Sequence, residues 1–183
     1  MLTPEDLPHY RYEDYRRWEG DWELIEGIPY AMTPSPTFRH QQISQKIAHE
    51  LEENLSDCPK CQALFALDWI ISDDTVVQPD NLVICHQPRG DFITQAPELI
   101  FEILSPSTSH KDRVTKFRLY EQEGVHHYCL VDPENQVAKI YRLQEGRYVK
   151  QADLYDEPHT FDLDGCTMNF RFSKIWPERA PAT

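Results

Sequence analysis

The run Glu98-Leu-Ile-Phe-Glu-Ile-Leu104 constrains the chain more than any other segment. It is too short and too apolar for a surface helix. It reads as a strand buried on both faces, as in a sheet covered by other elements. Glu102 sits inside it, and a carboxylate is costly to bury alone. It must be protonated, paired or bound to a cation. Gln78-Pro79-Asp80 opens the preceding strand, 22 residues before Glu102 (102 − 80). Acids on adjacent strands can point into one cleft and share a hard cation through oxygen ligands. Such an ion activates water and neutralises charge growing on a phosphodiester. In the competing reading, Asp80 caps a turn and Glu102 pairs with a lysine or arginine.

The surrounding pattern favours the first reading. Lys116 lies on a helix expected over Lys111–Glu123, whose apolar face is Val114, Phe117, Leu119 and Tyr120 and whose end is marked by Gly124. A helix packed back on its own strand brings Lys116 to the carboxylates. There a lysine orients water or steadies the phosphorus centre. Standing alone, Lys116 would read as an exposed helix lysine.

Upstream, Thr3-Pro4 and the acids after them predict a helix over residues 3–18. Trp22–Met32 predicts a hairpin around Glu26-Gly27. Ile43, Ile47, Ala48, Leu51 and Leu55 place one helical face over Thr37–Leu55. Strands are expected at Ala63–Ile71 and Val76–Cys85 around Ser72-Asp73-Asp74, then at His127–Asp132 and Gln136–Leu143, with short strands near Tyr148 and Phe161. The fold class is α/β (α+β mixed): a mixed β-sheet flanked by helices, in a single domain 1–183 with its core at about 20–143 and C-terminal strands and tail at 144–183.

No apolar run approaches the ~20 residues that cross a bilayer, and the polar start is unlike a secretory signal, so no membrane partner and a cytoplasmic location are expected. Five cysteines, an odd count, argue against a disulfide framework. Cys58-Pro-Lys-Cys61 has zinc-ligand spacing but no second CxxC or HxxxH, so two loop cysteines is the preferred reading there. Cys85 and Cys129 read as core. The net charge of −13 counts against a dedicated nucleic-acid binder, unless a local basic strip, a bridging metal or a basic partner compensates.

Several strings carry a family resemblance. They are Trp22-Glu-Leu-Ile-Glu-Gly27, Met32-Thr-Pro-Ser-Pro36, Val77-Gln-Pro-Asp80, Pro97-Glu-Leu-Ile-Phe-Glu-Ile-Leu-Ser-Pro-Ser-Thr108, then Asp112, Lys116, Leu119-Tyr120, Gly124-Val125 and Leu130-Val-Asp-Pro133. Together they resemble the Uma-type family of putative restriction endonucleases, formerly a domain of unknown function, within the PD-(D/E)xK restriction-endonuclease-like superfamily. The resemblance spans about Leu24 to Leu143. It implies a restriction-endonuclease-like core and a Mg²⁺- or Mn²⁺-dependent endonuclease acting on nucleic acid, DNA foremost, as a homodimer. It places Asp80 at the Asp of the PD half and Glu102 at the acidic position. The lysine expected two residues later is Leu104 here, so the lysine role moves to the next helix, at Lys116.

Glu23 matches a recurring acid of that branch and is a candidate metal ligand; the alternative is a hairpin acid in solvent. His40 is a candidate general base or phosphate contact; the alternative is a histidine at a helix start. Asp68, which alternates against Leu67 and Trp69, is expected in a supporting role at the cleft; the alternative is an acid facing water. Ser105, Ser107 and Thr108 cap the following helix or touch phosphate. Two functional readings follow: an active endonuclease, and a binding or assembly module that kept the acids on the same scaffold.

Overall fold

The computed structural model describes residues 7–32, 35–106 and 110–177, without the side chains of residues 111 and 112. Its centre is the strand β7 (Leu99–Ile103), every residue of which is buried. Alternation divides it: Leu99, Phe101 and Ile103 enter one core, while Ile100 and neighbouring Leu104 enter the other. Glu102 shares the second face with Ile100.

Five further strands complete a mixed six-stranded sheet. They are β3 (Gln62–Phe65), β6 (Asn81–Ile84), β8 (His127–Asp132), β9 (Val137–Gln144) and β10 (Arg147–Leu154), in the order β10-β9-β8-β7-β6-β3. In this sheet β7 and β8 run parallel, because a helical crossover joins them, while short turns join β8 to β9 and β9 to β10 antiparallel, and β6 reaches its antiparallel neighbours through longer connections. A second sheet, β2-β1-β5-β4, is built from β1 (Trp22–Ile25), β2 (Ile28–Ala31), β4 (Trp69–Ser72) and β5 (Thr75–Val77). The hairpin β11 (Pro158–Leu163) and β12 (Cys166–Arg171) forms a third.

Helix α2 (Phe38–Leu55) and the β11–β12 hairpin cover one face of the large sheet, through Ile43, Ile47, Leu51, Phe161, Met168 and Phe170. The other face is covered by α3 (Phe117–Gln122) through Leu119 and Tyr120, and by Ile25, Trp69 and Val77 of the small sheet. Each large apolar side chain buried this way contributes about 1.5–3 kcal/mol.

Thr37 caps α2 by accepting from the His40 amide at 3.2 Å. The first hairpin turns as expected, with Glu26 at φ 50° and Gly27 at φ 76°. A Cβ on Gly27 would also meet the His9 ring.

The sequence expectations need four corrections. The helix expected over residues 3–18 is the single turn α1 (Tyr12–Tyr15); Thr3 and Pro4 lie outside the described residues. Each long strand expected at 63–71 and 76–85 is two strands in different sheets. Ala66 at φ 49° breaks the first and Pro79, which has no amide to donate, breaks the second. Lys111–Lys116 winds as a π-helix before α3. That winding shifts the helical phase, so Val114 is exposed and Lys116 is buried. Finally, four cysteines come together, as Cys58 with Cys166 and Cys61 with Cys85 in disulfide contact, while Cys129 stays a buried thiol.

The tail packs against the sheet as far as Trp176, whose carbonyl accepts from Lys46 Nζ at 3.0 Å; residues 178–183 lie outside the described residues. On α2, buried Glu50 holds Arg171 at the end of β12, with Oε1 accepting from Nε at 2.7 Å and Oε2 from Nη2 at 3.0 Å. Burial pushes the Glu50 carboxyl up, but hydrogen bonds from Arg171 and Asn54 outweigh it and leave the group below its ordinary value. A carboxyl depressed in the folded state stabilises above its unfolded pKa, and that contribution is lost as pH falls through the folded value. Arg171→Met should therefore lower the urea midpoint at neutral pH. The deficit should shrink as pH falls below the ordinary glutamate value of about 4.3. A pH-independent deficit in parallel urea titrations would show that lost packing, not charge, was responsible.

Candidate active site

The two sheets meet where β5 runs through Gln78-Pro79-Asp80 into β6. The antiparallel register pairs Asn81 with Phe101. One step back, Asp80 stands across from Glu102, as cross-strand neighbours do. Asp80 Oδ2 accepts from the amide of Ile103, the residue after Glu102, at 2.7 Å. His40 reaches the same oxygen from the first turn of α2, with Nε2 at 3.2 Å.

Glu102 is buried under the π turn and α3. Its Oε1 accepts from Lys116 Nζ at 2.8 Å and from the Tyr120 hydroxyl at 2.6 Å. Lys116 and Tyr120 are four residues apart and so lie on one helical face. The same ammonium lies 2.7 Å from Glu23 Oε1, and Glu23 is fully buried on β1. That excludes the reading of Glu23 as a hairpin acid in solvent. Likewise Lys116, at 2% exposure, is not a surface helix lysine.

All five candidates therefore fall in one region, in two parts. Glu23, Glu102 and Lys116 form a buried set inside the sheet–helix layer. Asp80 and His40 form a more open set, with side chains 19% and 13% exposed. The Ile103 amide joins Asp80 to the Glu102 strand. Gln78 joins the Pro79-Asp80 step to Glu23, its amide donating to Glu23 Oε1 at 2.9 Å.

Two contributors escape sequence reasoning. Tyr120 reads as a core residue, yet its hydroxyl holds Glu102; its spacing of four from Lys116 was the available signal. Gln78 has none beyond its place beside Pro79. Asp68 accepts from Gln78 Nε2 at 3.1 Å and from the Tyr15 hydroxyl at 2.9 Å. Burial, then the Asp68 charge, push the Tyr15 phenol well above its ordinary range, so it stays a donor.

A cleft of about 500 Å³ opens at His40 and runs between Thr37, Arg39, Ser105, Arg113 and Asn135. Arg39 and Arg113 are exposed on its lining, which also carries the acids Asp132, 3.8 Å from Arg113, and Glu134. Ser105 lines the cleft, while Ser107 and Thr108 lie outside the described residues. The helix start at His110 has no side-chain cap bond.

Two buried glutamates, Glu23 and Glu102, meet at the Lys116 ammonium, and the register places Asp80 across from Glu102. The donors gathered here are carboxylate oxygens with one imidazole nearby, hard ligands by type for magnesium or manganese and not for a soft ion; the ligand oxygens of Glu23, Asp80 and Glu102 do not all lie within 4.8 Å of one another, so an ion would draw them closer.

A family model described as Uma2, putative restriction endonuclease, matches residues 12–171. An uncharacterized protein of Synechocystis, slr1290, is 31% identical over 146 residues, covering 74% of this chain and 75% of that one. The crystal structure of a putative nuclease belonging to DUF820 from Anabaena variabilis superposes with a TM-score of 0.71 over 90% of this chain and 96% of that one. The two are 18% identical, so this likeness speaks for a shared fold.

Proposed function

This chain belongs to the Uma2 family of putative restriction endonucleases, and from that premise we propose that it is a divalent-metal-dependent endonuclease hydrolysing phosphodiester bonds of DNA. The observation that carries the reading is the buried Lys116 shared by Glu23 and Glu102, directly across the sheet from Asp80. Carboxylates gathered around a lysine, beside a cleft that opens at His40 and carries Arg39 and Arg113 on its lining, suit a cation and a phosphate together.

Asp80, Glu102 and Glu23 are the residues that would hold Mg²⁺ or Mn²⁺. When bound, the ion supplies Lewis-acid neutralisation of phosphate charge and a more acidic water. Lys116 fixes the two glutamates and stabilises negative charge growing on the phosphate. Tyr120 holds Glu102 in one orientation through its hydroxyl. His40, within hydrogen-bond reach of Asp80, accepts a proton from water or contacts phosphate. Arg39 and Arg113 draw the backbone into the cleft. A homodimer would supply two such sites for two strands.

The competing reading, a binding or assembly module on the same scaffold, draws on the net charge of −13. Supercoiled plasmid incubated with Mg²⁺, Mn²⁺ or chelator separates the two. Nicking that needs the metal and disappears in both Asp80→Ala and Glu102→Ala is expected. Cleavage surviving both substitutions would remove the site assignment. No cleavage of any DNA or RNA form, with no metal binding by calorimetry, would favour the binding module.

A further inference from the structure

The four cysteines brought together by the fold lie at the other end of β6 from Asp80. Cys58 and Cys61 form the turn after α2, with the Cys61 amide donating to the Cys58 carbonyl at 2.9 Å. Cys85 immediately follows β6, and Cys166 opens β12. Cys58, Cys61 and Cys85 are each 5% exposed.

Each cysteine of the CxxC turn meets a different distant cysteine, Cys58 with Cys166 and Cys61 with Cys85. The two pairs are not independent. Cys61 Sγ lies 4.0 Å from Cys166 Sγ, across the pairs. The sulfurs of Cys58, Cys61 and Cys166 all lie within 4.8 Å of one another, and Cys85 stands outside that group, joined to it through Cys61.

Two disulfides require closeness only within each pair, and nothing in that chemistry draws the pairs onto each other. One tetrahedral ion requires all four. With Zn–S bonds of about 2.3 Å, tetrahedral geometry sets the sulfurs about 3.8 Å apart. The Cys61–Cys166 distance is close to that value, whereas within each pair the sulfurs are in disulfide contact, so an ion would sit between pairs that open to admit it; a CxxC turn is a common way to supply two of the ligands.

We propose that Cys58, Cys61, Cys85 and Cys166 form a closed tetrathiolate site for one Zn²⁺. Binding converts four thiols to thiolates and releases their protons to solvent. With four protein ligands no position is left for water or substrate, so the site is structural. It ties the end of α2, the end of β6 and the β11–β12 hairpin together, and thereby holds the cover of one sheet face. Its soft donors also set it apart from the oxygen-lined Asp80 region at the opposite end of β6.

The whole chain, purified under reducing conditions without chelator, decides the matter by metal analysis and thiol titration in denaturant. About one zinc per chain and five titratable thiols are expected, since Cys129, buried in the native core, is released on unfolding. Co²⁺ exchanged for zinc should give the sulfur-to-cobalt charge-transfer band and strong visible bands of a tetrahedral thiolate centre, which a carboxylate site cannot produce. Cys166→Ser should bind less than one zinc per chain and weaken the cobalt charge-transfer band, since one of the four thiolates is gone. One titratable thiol without zinc would establish two disulfides and overturn the proposal. So would five thiols that take up no zinc when it is offered, or a zinc content unchanged in Cys166→Ser.

Discussion

Glu102→Gln should lower metal-dependent plasmid cleavage by about 10²–10³-fold, the scale of losing one preorganised electrostatic group, while the protein remains folded. The substitution is nearly isosteric. The amide oxygen can still accept from Lys116 Nζ and the Tyr120 hydroxyl, the two donors now on Oε1. What disappears is the charge. The Lys116 ammonium loses one of its ion-pair partners and the Tyr120 bond becomes a neutral one, at a stability cost of about 1–2 kcal/mol. For a chain of this length that shifts the melting temperature by roughly 2–8 °C. Glu23 still faces the lysine at 2.7 Å, which limits the loss. A nuclease is therefore expected to lose activity far out of proportion to stability, and its apparent affinity for Mn²⁺ should fall with it. Measuring kcat against metal concentration separates the two effects. A Glu102→Gln protein that cuts at the parental rate would leave Glu102 as the partner of Lys116 and nothing more.

The centre of the fold is legible in the chain because both its signals are local. Five apolar residues around one acid announce a doubly buried strand, and the acid announces a partner. The partner, Lys116, follows from chain order: a helix after a buried strand packs back on it. The side-chain phase is less accessible. Period 3.6 places Val114 inward, and the π winding of Lys111–Lys116 turns it outward in favour of the lysine. The division of two apparent strands into four depends on Ala66 and Pro79, where backbone conformation and one missing donor override an otherwise continuous pattern. The cysteine cluster joins residues 24 and 108 positions apart. No local periodicity encodes such a meeting, and an odd cysteine count points away from it. Gln78 is hidden for a related reason, because its decisive bond to Glu23 is made by its backbone.

Lys116→Met tests the buried set from the opposite side and should cost about 3–5 kcal/mol, because it leaves two buried carboxylates without the ammonium between them. Glu23 and Glu102 are 0% and 2% exposed, so water cannot readily replace it. The Tyr120 hydroxyl and the Gln78 amide each satisfy one oxygen but bring no full charge. At 2–4 °C per kcal/mol the melting temperature should fall by about 6–20 °C. The cause can be separated from lost packing by removing the charge instead of the shape. Adding Glu23→Gln and Glu102→Gln to Lys116→Met leaves a neutral set of similar volume, and the triple variant should recover to within about 1–2 kcal/mol of the parent. Urea unfolding of the parent, the single and the triple variants measures both steps. A single variant within about 1 kcal/mol of the parent would mean that the lysine does not balance the two glutamates. A triple variant no more stable than the single would assign the loss to packing. Recovery without cleavage is the combination expected here: a neutral set serves the fold nearly as well, so the acids and the lysine are kept for what they do in the reaction and not for stability.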